Sequence, residues 1–530
     1  MGANPAYLNA RRARAIAPAP STALVVAAPV GGWNARDALG AMNPNDAVTM
    51  TNMFPSTTSV DLRKGYSIWA TGLDSSQVET IFSYNGPSSN KQFGVTASGK
   101  IYETTSGGAV GAADVSGMTN GRFQYINVST TAGNYLMAVN GADKARFYTG
   151  SAWAADGDGS PYDITGVDSA TCIQINLFKN MVWLVKSATL DAYYGAAGVI
   201  GGAYTKFSLN GIAKLGGYLM AMATWTIDAG YGVDDLAVFI TSEGEYIVYR
   251  GTDPSSITTW SLVGVWELGA PTGRRCFMKY GGDVAVICED GLIPLSGALQ
   301  SSRMNPRVAI SDKIQYAMSQ AVTSYGAHGA VNFGWEPVYF PGENMLLVNV
   351  PINAGSAQQQ YVMNTINRSW CNFTGWNANC FAIFNDLLYF GANGFIAKAW
   401  TTNADNGAAI TGVCLQAFNY YKDFVHPKRF TMMRPVFNTN GSPSVFGTIN
   451  TDFDLSEPTQ ALTVSAPSYA LWGTGLWGTG LWGNTGISQN WSGVSKVGTN
   501  GAATLKIAAA GVSVKWLATT VVYERSRGFL

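Results

Sequence analysis

The stretch Leu236-Ala-Val-Phe-Ile-Thr241, Ser242-Glu243-Gly244, Glu245-Tyr-Ile-Val-Tyr249 decides the fold class. Two short apolar runs, rich in β-branched and aromatic residues, flank a Glu-Gly pair, a pattern typical of a β-hairpin. The glycine supplies the positive φ angle that a tight connection between two strands needs. The stretch therefore predicts a strand, a tight turn and a second strand.

The same pattern recurs along the chain. Its turns stand at Ser98-Gly99, Asn140-Gly141, Glu243-Gly244, Asp290-Gly291 and Asn393-Gly394. Turns that begin at 98, 140, 243, 290 and 393 are separated by 42, 103, 47 and 103 residues, and each long interval holds a weaker hairpin candidate, at 181–194 and 345–363. Six or seven units of about 40 to 60 residues result, close to the period of four-stranded propeller blades. We predict an all-β chain with a β-propeller-like body; an irregular multi-sandwich β protein is the alternative.

The chain divides into three regions. Residues 1–30 carry several arginines and prolines, which predict an extended N-terminal arm rather than a signal peptide. Residues 31–410 hold the blade rhythm and form the predicted propeller-like body. Residues 411–530 predict a smaller C-terminal β domain. One helix is expected over about 312–322, because apolar residues recur there at helical spacing after a possible cap at Ser311-Asp312.

The composition excludes several classes of protein. The 33 Lys+Arg residues balance 33 Asp+Glu residues, which argues against a nucleic-acid binder with a broad basic face. Charged residues make up only 12% of the chain, about half the usual share. Such a chain stays soluble through a Ser/Thr/Asn/Gly-rich surface, or buries surface against other subunits. No stretch is apolar and long enough to predict a transmembrane helix.

The residues that carry common enzyme chemistry are sparse. The chain has two histidines, His328 and His426, no GxSxG elbow, no P-loop and no recurring set of acids. The acidic loop 156–163 has calcium-like spacing, but Pro161 stands where an EF-hand needs glycine. We expect no enzyme activity, no cofactor and no metal. No CxxC occurs, so we expect free or buried thiols at Cys172, Cys276, Cys288, Cys371, Cys380 and Cys414.

A tryptophan-glycine repeat occupies residues 471–486, with Trp472, Trp477 and Trp482 five residues apart. Neither a strand nor a helix places three residues at this spacing on one face, so a loop is predicted. The loop either packs on its own domain, or forms a subunit interface or distal tip, or stacks on sugars. Its GxGxxG at 473–478 lacks the strand and helix of a dinucleotide site.

Several segments between 30 and 320 carry a family resemblance. They are Val30-Gly-Gly-Trp33-Asn-Ala-Arg36-Asp37, Pro44-Asn-Asp46-Ala47, Asn52-Met-Phe54-Pro55, Arg63-Lys64-Gly65-Tyr66, Gly251-Thr-Asp253-Pro254, Gly273-Arg274-Arg275 and Ala309-Ile-Ser-Asp312-Lys-Ile314. The chain resembles the tail nozzle, or tail tubular protein B, type of structural protein of short-tailed bacteriophages. That group is related in role to packaged-DNA stabilisation proteins. The resemblance does not extend to 411–530.

The resemblance implies a virion tail protein that forms a hexameric ring below the portal and the head-to-tail adaptor. Such a ring would contact tail fibre or needle proteins, touch the host surface at its distal tip, and let double-stranded DNA pass without sequence recognition. A chain with few basic residues suits this role, because each neutralised phosphate would add affinity for DNA.

We expect structural roles for four charged residues of the resembling segments, as loop-fixing ion pairs or interface contacts; the alternative is that they are solvated turn residues. They are Arg36, Asp37, Arg63 and Lys64.

Two other functions remain open from the residues. One is a carbohydrate-binding propeller that uses the three tryptophans as stacking platforms. The other is a propeller glycoside hydrolase, which would need a pair of carboxylates converging in a pocket.

Overall fold

The hairpin at 233–251 has the predicted form. The structure, a computed structural model, describes residues 21–228, 233–297, 308–326, 333–464 and 486–526. Val233–Thr241 and Glu245–Gly251 pair antiparallel around a turn in which Gly244 has a φ of 84°. Alternate side chains of this hairpin enter two different cores: Val238 belongs to one and Phe239 to the next. A sheet buried on both faces in this way lies between two neighbouring sheets.

Six such sheets, counted over the described residues, are separate blades of three to five strands. Blade 1 contains Val78–Tyr84, Lys91–Thr96 and Lys100–Glu103, and blade 2 contains Gln124–Thr130, Gly133–Val139, Arg146–Tyr148 and Trp153–Ala155. Blade 3 contains Cys172–Phe178, Met181–Lys186, Asp191–Tyr194 and Thr205–Ser208, and blade 4 contains Leu219–Asp228, Val233–Thr241, Glu245–Gly251 and Trp260–Glu267. Blade 5 contains Phe277–Tyr280, Asp283–Cys288 and Gly291–Pro294, and blade 6 contains Cys380–Phe384, Leu387–Gly391, Phe395–Thr402, Gly65–Thr71 and Gly108–Ala109.

Between blades 5 and 6 lies a seventh antiparallel meander, here called the shared blade. Its strands are Glu336–Phe340, Met345–Asn353, Ala357–Asn364 and Ser369–Thr374. The first strands of blades 2 to 5 and of the shared blade each contact the next sheet, and Cys380–Phe384 contacts Val78–Tyr84, so blade 6 meets blade 1. Blade 1 meets blade 2 through the Ser83 amide, which donates to the Tyr125 hydroxyl. The sheets therefore close into a β-propeller, as predicted, with six blades as separate sheets and a seventh position filled by the shared blade. Gly65–Thr71 pairs antiparallel with Phe395–Thr402 and so joins the two ends of the ring.

The shared blade continues into the C-terminal domain. The ten-stranded sheet adds Gly32–Trp33, Asp46–Thr51, Ile410–Gln416, Gly501–Ala509, Ser444–Thr451 and Ala461–Leu462. A seven-stranded sheet packs on it and contains Ser21–Ala27, Met53–Pro55, Val60–Leu62, Lys428–Thr439, Ile487–Ser488, Ser492–Gly498 and Val514–Arg525. A common core, which includes Met50, Met433 and Trp516, fills the space between the two sheets.

The N-terminal region differs from the predicted three-part division. Residues 21–27, placed by sequence in the arm, form a strand paired in register with 518–524. Residues 46–62, placed in the propeller-like body, lie in the two sheets of the C-terminal sandwich. Both segments are apolar enough to add strands to a distant sheet, and nothing local in the sequence marks that choice. Residues 1–20 lie outside the described part of the chain.

The predicted helix is present with slightly shifted bounds. A 3₁₀ turn, Asp312–Ile314, leads into the α-helix Gln315–Tyr325, whose buried side chains include Met318 and Ala321. Ser311 makes no side-chain capping bond to this helix. Also present are two other 3₁₀ turns, Ser169–Thr171 and Pro341–Glu343, and a two-strand bridge between Ile164–Thr165 and Gly202–Ala203. In the described ranges, no helix has the length and apolarity to cross a bilayer.

All six cysteines are free and buried, as predicted. Burial raises the pKa of the Cys172, Cys276 and Cys380 thiols to about 12. A thiol with such a pKa is protonated at neutral pH, so these side chains act as small apolar residues of the cores.

Three glycine-to-alanine variants separate backbone strain from crowding in the blade turns. At Gly244 an added Cβ would lie 2.3 Å from the Leu268 carbonyl oxygen, whereas at Gly216 (φ 78°) and Gly211 it would meet no atom within 4 Å. We expect Gly211→Ala to be nearly neutral and Gly216→Ala to cost about 1–2 kcal/mol of unfolding free energy. Gly244→Ala should cost about 3 kcal/mol, because overpacking adds to the strain. Urea unfolding of the three variants measures these changes in the free energy of unfolding. Equal stability of Gly244→Ala and Gly211→Ala would contradict the turn geometry.

Candidate functional site

Arg63 joins the propeller to the C-terminal sandwich. Its side chain is only 1% exposed, and it forms a two-pronged ion pair with Asp405 at 2.8 and 2.6 Å. Its other donors reach the Asn52 Oδ1 atom (2.9 Å), the Thr374 carbonyl oxygen (2.6 Å) and the Lys64 carbonyl oxygen (3.1 Å). All five N–H groups of the guanidinium are thus bonded, which is the condition for a stable buried arginine.

Asn52 extends this network into both bodies. Its Oδ1 atom also accepts from the Thr374 amide of the shared blade (2.8 Å), and its Nδ2 atom donates to the Thr411 carbonyl oxygen of the sandwich (2.9 Å). The Arg63 guanidinium lies 5.2 Å from the centre of the Trp376 ring, within cation–π distance. We call this set, Arg63, Asp405, Asn52 and Trp376, the Arg63 joint.

Arg36 and Asp37 form a second joint with the segment before the helix. Arg36 pairs with Asp37 (2.8 Å) and with Asp312. Asn34 accepts from the amides of both residues and donates to Asp37 at 2.9 Å. The hydrogen bond from Arg36 is the main reason why the pKa of Asp37 falls to about 2. Lys313 reinforces the contact through Asp46 (2.6 Å).

Lys64 lies at the surface, unlike its neighbour Arg63. Its ammonium group is 3.6 Å from Glu343, and both side chains are more than 40% exposed. Three of the four charged residues expected to be structural therefore form close intrachain networks, and Lys64 forms a loose surface pair.

The three tryptophans proposed for an interface, a tip or sugar stacking lie outside the described residues. They are Trp472, Trp477 and Trp482, and His328 also lies outside. His426 is a half-exposed neighbour of Asp423, at 3.2 Å. In the acidic loop, Asp156 accepts from the Ile164 amide (2.8 Å) and from Ser169 (2.6 Å). Across the described residues, no group of three or more His, Cys, Asp or Glu side chains is placed to hold a metal ion.

The propeller axis is occupied by Arg275, which enters from the segment before blade 5. Its Nη2 atom donates to Thr80 of blade 1 (2.7 Å) and to the Phe123 carbonyl oxygen beside blade 2 (3.0 Å). Its Nη1 atom lies 3.5 Å from Glu336 of the shared blade, and Glu336 accepts from the Phe381 amide of blade 6 at 3.0 Å. One arginine thus ties four sheets from different sides of the ring. Burial raises the pKa of Glu336, and the nearby guanidinium opposes that rise.

Beside Arg275 a cavity of about 280 Å³ opens, here called the axis cavity. Two more arginines line it. Arg122 donates to Glu79 at 2.9 Å, and Arg274 donates to the Asn140 carbonyl oxygen at 3.2 Å. Burial, and then the charge of Arg122, lower the pKa of Arg274. The Phe333 ring is held between the guanidinium groups of Arg122 (5.0 Å) and Arg275 (5.1 Å).

Sequence reasoning did not identify the axis cavity. Gly273-Arg274-Arg275 drew attention only through the family resemblance, although an arginine pair is unusual in a chain with so few charges. Arg122 stands alone in the sequence and carries no signal. No pattern in the sequence indicated that Asp405 and Asn52 bind Arg63. Asp405 lies 342 residues away in the chain, and Asn52 is an ordinary turn residue.

Comparisons with known proteins give no relative. No protein-family model matches the sequence, and no curated protein matches it. Among solved structures, BBS1N in complex with ARL6DN aligns with 65% of this chain and 99% of its own, at 10% identity and a TM-score of 0.39. The Cps50 (Swd1) β-propeller domain of Myceliophteria thermophila aligns with 64% of this chain and 100% of its own, at 10% identity and a TM-score of 0.37. YCF48 bound to D1 peptide aligns with 65% of this chain and 96% of its own, at 11% identity and a TM-score of 0.32.

The Arg63 joint yields a stability test. We expect Asp405→Asn to lower the unfolding free energy by about 3–5 kcal/mol, because it leaves a buried guanidinium without its counter-charge. The matched control is Glu343→Gln, which removes the exposed partner of Lys64 and should cost less than about 1 kcal/mol. Equilibrium urea unfolding of both variants measures the difference. A cost below about 1 kcal/mol for Asp405→Asn would show that the pair does not hold the joint.

Proposed function

We propose that this chain is a structural subunit of a short-tailed bacteriophage tail. In this proposal, several copies form a nozzle ring below the portal and adaptor, through which the genome leaves. The observation that supports this proposal is the set of contacts made by the segments that carry the family resemblance. Residues 30–37, 44–47, 52–66 and 309–314 supply the Arg36 and Arg63 joints, so their charges fix the body of the protein and line no reactive site.

In this proposal the DNA path lies outside a single chain. Arg275 bonds to residues of several sheets around the axis, and the adjoining cavity of about 280 Å³ has the size of a small-molecule site. A conduit for duplex DNA must then be enclosed between copies. Head-to-tail contacts that close on themselves produce such a ring, and use two different faces of each subunit.

The surface of the chain suits assembly. Strand Ser21–Ala27 carries no charged residue, and among the described residues it pairs on one side only, with Val514–Arg525. Natural proteins usually protect such an edge with charges or cover it. Val25 on this strand is 64% exposed, and Phe424 elsewhere in the C-terminal domain is 71% exposed. Contacts with other subunits would cover such apolar residues.

The proposal is tested by counting copies in particles. Particles from the source would be banded on a density gradient, and peptides of this chain counted against the major capsid protein by mass spectrometry. We expect a constant ratio equivalent to about six to twelve copies per particle, the number that one or two closed rings would give.

A matched control uses a soluble host protein of similar abundance, whose ratio to the capsid protein should fall with each successive gradient. Recovery of this chain only in the soluble fraction, or a ratio that falls in parallel with the control, would overturn the proposal.

A further inference from the structure

The axis cavity has a surplus of positive charge, although the net charge of the whole chain is zero. Its lining includes Arg122, Arg274 and Arg275 and no acidic side chain. Glu79 neutralises Arg122 and Glu336 neutralises Arg275, by the contacts described above. Among the described residues Arg274 has no carboxylate partner. One positive charge therefore remains at the wall of the cavity.

Unused hydrogen-bond donors accompany this charge. Within the described chain, Arg122 donates only through Nε and Arg274 only through Nη1, so most of the N–H groups of both guanidinium groups have no protein acceptor. The Gln124 side-chain amide, which also lines the cavity, has no protein partner there either. Two arginine forks and an amide around one small space form a donor set that matches the oxygens of a carboxylate or phosphate.

Two aromatic residues also line the cavity. Phe333 is fixed between two guanidinium groups, and Trp335 is buried beside it. Apolar rings beside cationic donors suit a ligand with an anionic head and a less polar body. The volume, about 280 Å³, admits a molecule of roughly monosaccharide size.

We propose that the axis cavity is a binding site for a small oxyanion, a carboxylate or phosphate group alone or on a monosaccharide-sized body, held by Arg122 and Arg274. The site is independent of the proposed virion role, since it lies within one chain. Binding would add a counter-charge at the propeller axis and so stabilise the blades that meet there.

The test is calorimetric titration of the full chain with inorganic phosphate, glucuronate, glucose 6-phosphate and, as the uncharged control, glucose. We expect at least one of the three anions to bind with a millimolar or tighter dissociation constant, and glucose not to bind. Phosphate binding as tightly as glucose 6-phosphate identifies the anionic head as the ligand. Tighter binding of the sugar anions identifies an acidic sugar.

Variants locate the site. Arg274→Gln should weaken binding at least tenfold, because it removes the unpaired charge and its fork. Arg434→Gln is the matched control: that arginine stacks on Trp491 in the sandwich and should leave binding unchanged. As a measurement without a variant, 20 mM of the bound anion should slow amide hydrogen exchange in residues 118–125 and 272–276. Absence of binding by all three anions, full binding by Arg274→Gln, or unchanged exchange in these residues at saturating anion would each overturn the proposal.

Discussion

The guanidinium group of Arg63 is the interaction on which the two-body architecture depends. It is buried where the shared blade, the loop that contains Asp405 and the sandwich meet, and each of its five donors has an acceptor. An arginine in that position is unfavourable unless it is fully bonded, because removing its charge from water costs several kcal/mol. The same requirement fixes Asn52, Thr374 and Asp405, since moving any of them would leave a buried donor without a partner.

The propeller imposes a second constraint. Neighbouring blades cover both faces of each blade. Successive residues of a strand point to opposite faces, and both sets are therefore apolar, as at 236–249. Such strands leave few positions for charged residues. The low charge of the chain therefore follows in part from its architecture. Where charges do enter the interior, at Arg63 and Arg275, they tie several sheets together at once.

The elements that local sequence determines were predictable. Turn dipeptides between β-branched runs predicted the hairpins at 98, 243, 290 and 393, and apolar spacing predicted the helix after Ser311. At 140 the predicted antiparallel pair is present, but residues 140–145 form a longer connection than the predicted tight turn. The long-range pairings were not predictable. Residues 21–27 pair with a strand almost 500 residues away in the chain, and Arg63 binds Asp405, which is 342 residues away. Their local patterns are compatible with several sheets, and only the three-dimensional packing selects one. The axis cavity was missed for the same reason, because Arg122 and the Arg274-Arg275 pair come from segments about 150 residues apart in the chain.

We infer that the propeller and the sandwich form one cooperative unit through the shared blade and the Arg63 joint. Native-state hydrogen exchange with mass spectrometry, in increasing low concentrations of urea, tests it most directly. If the two bodies unfold together, peptides from 345–364 in the shared blade and from 410–416 and 428–439 in the sandwich will exchange with one common opening free energy and one urea dependence. The contradictory result is exchange of the two sandwich peptides at a clearly lower free energy and with a smaller urea dependence, while 345–364 stays protected.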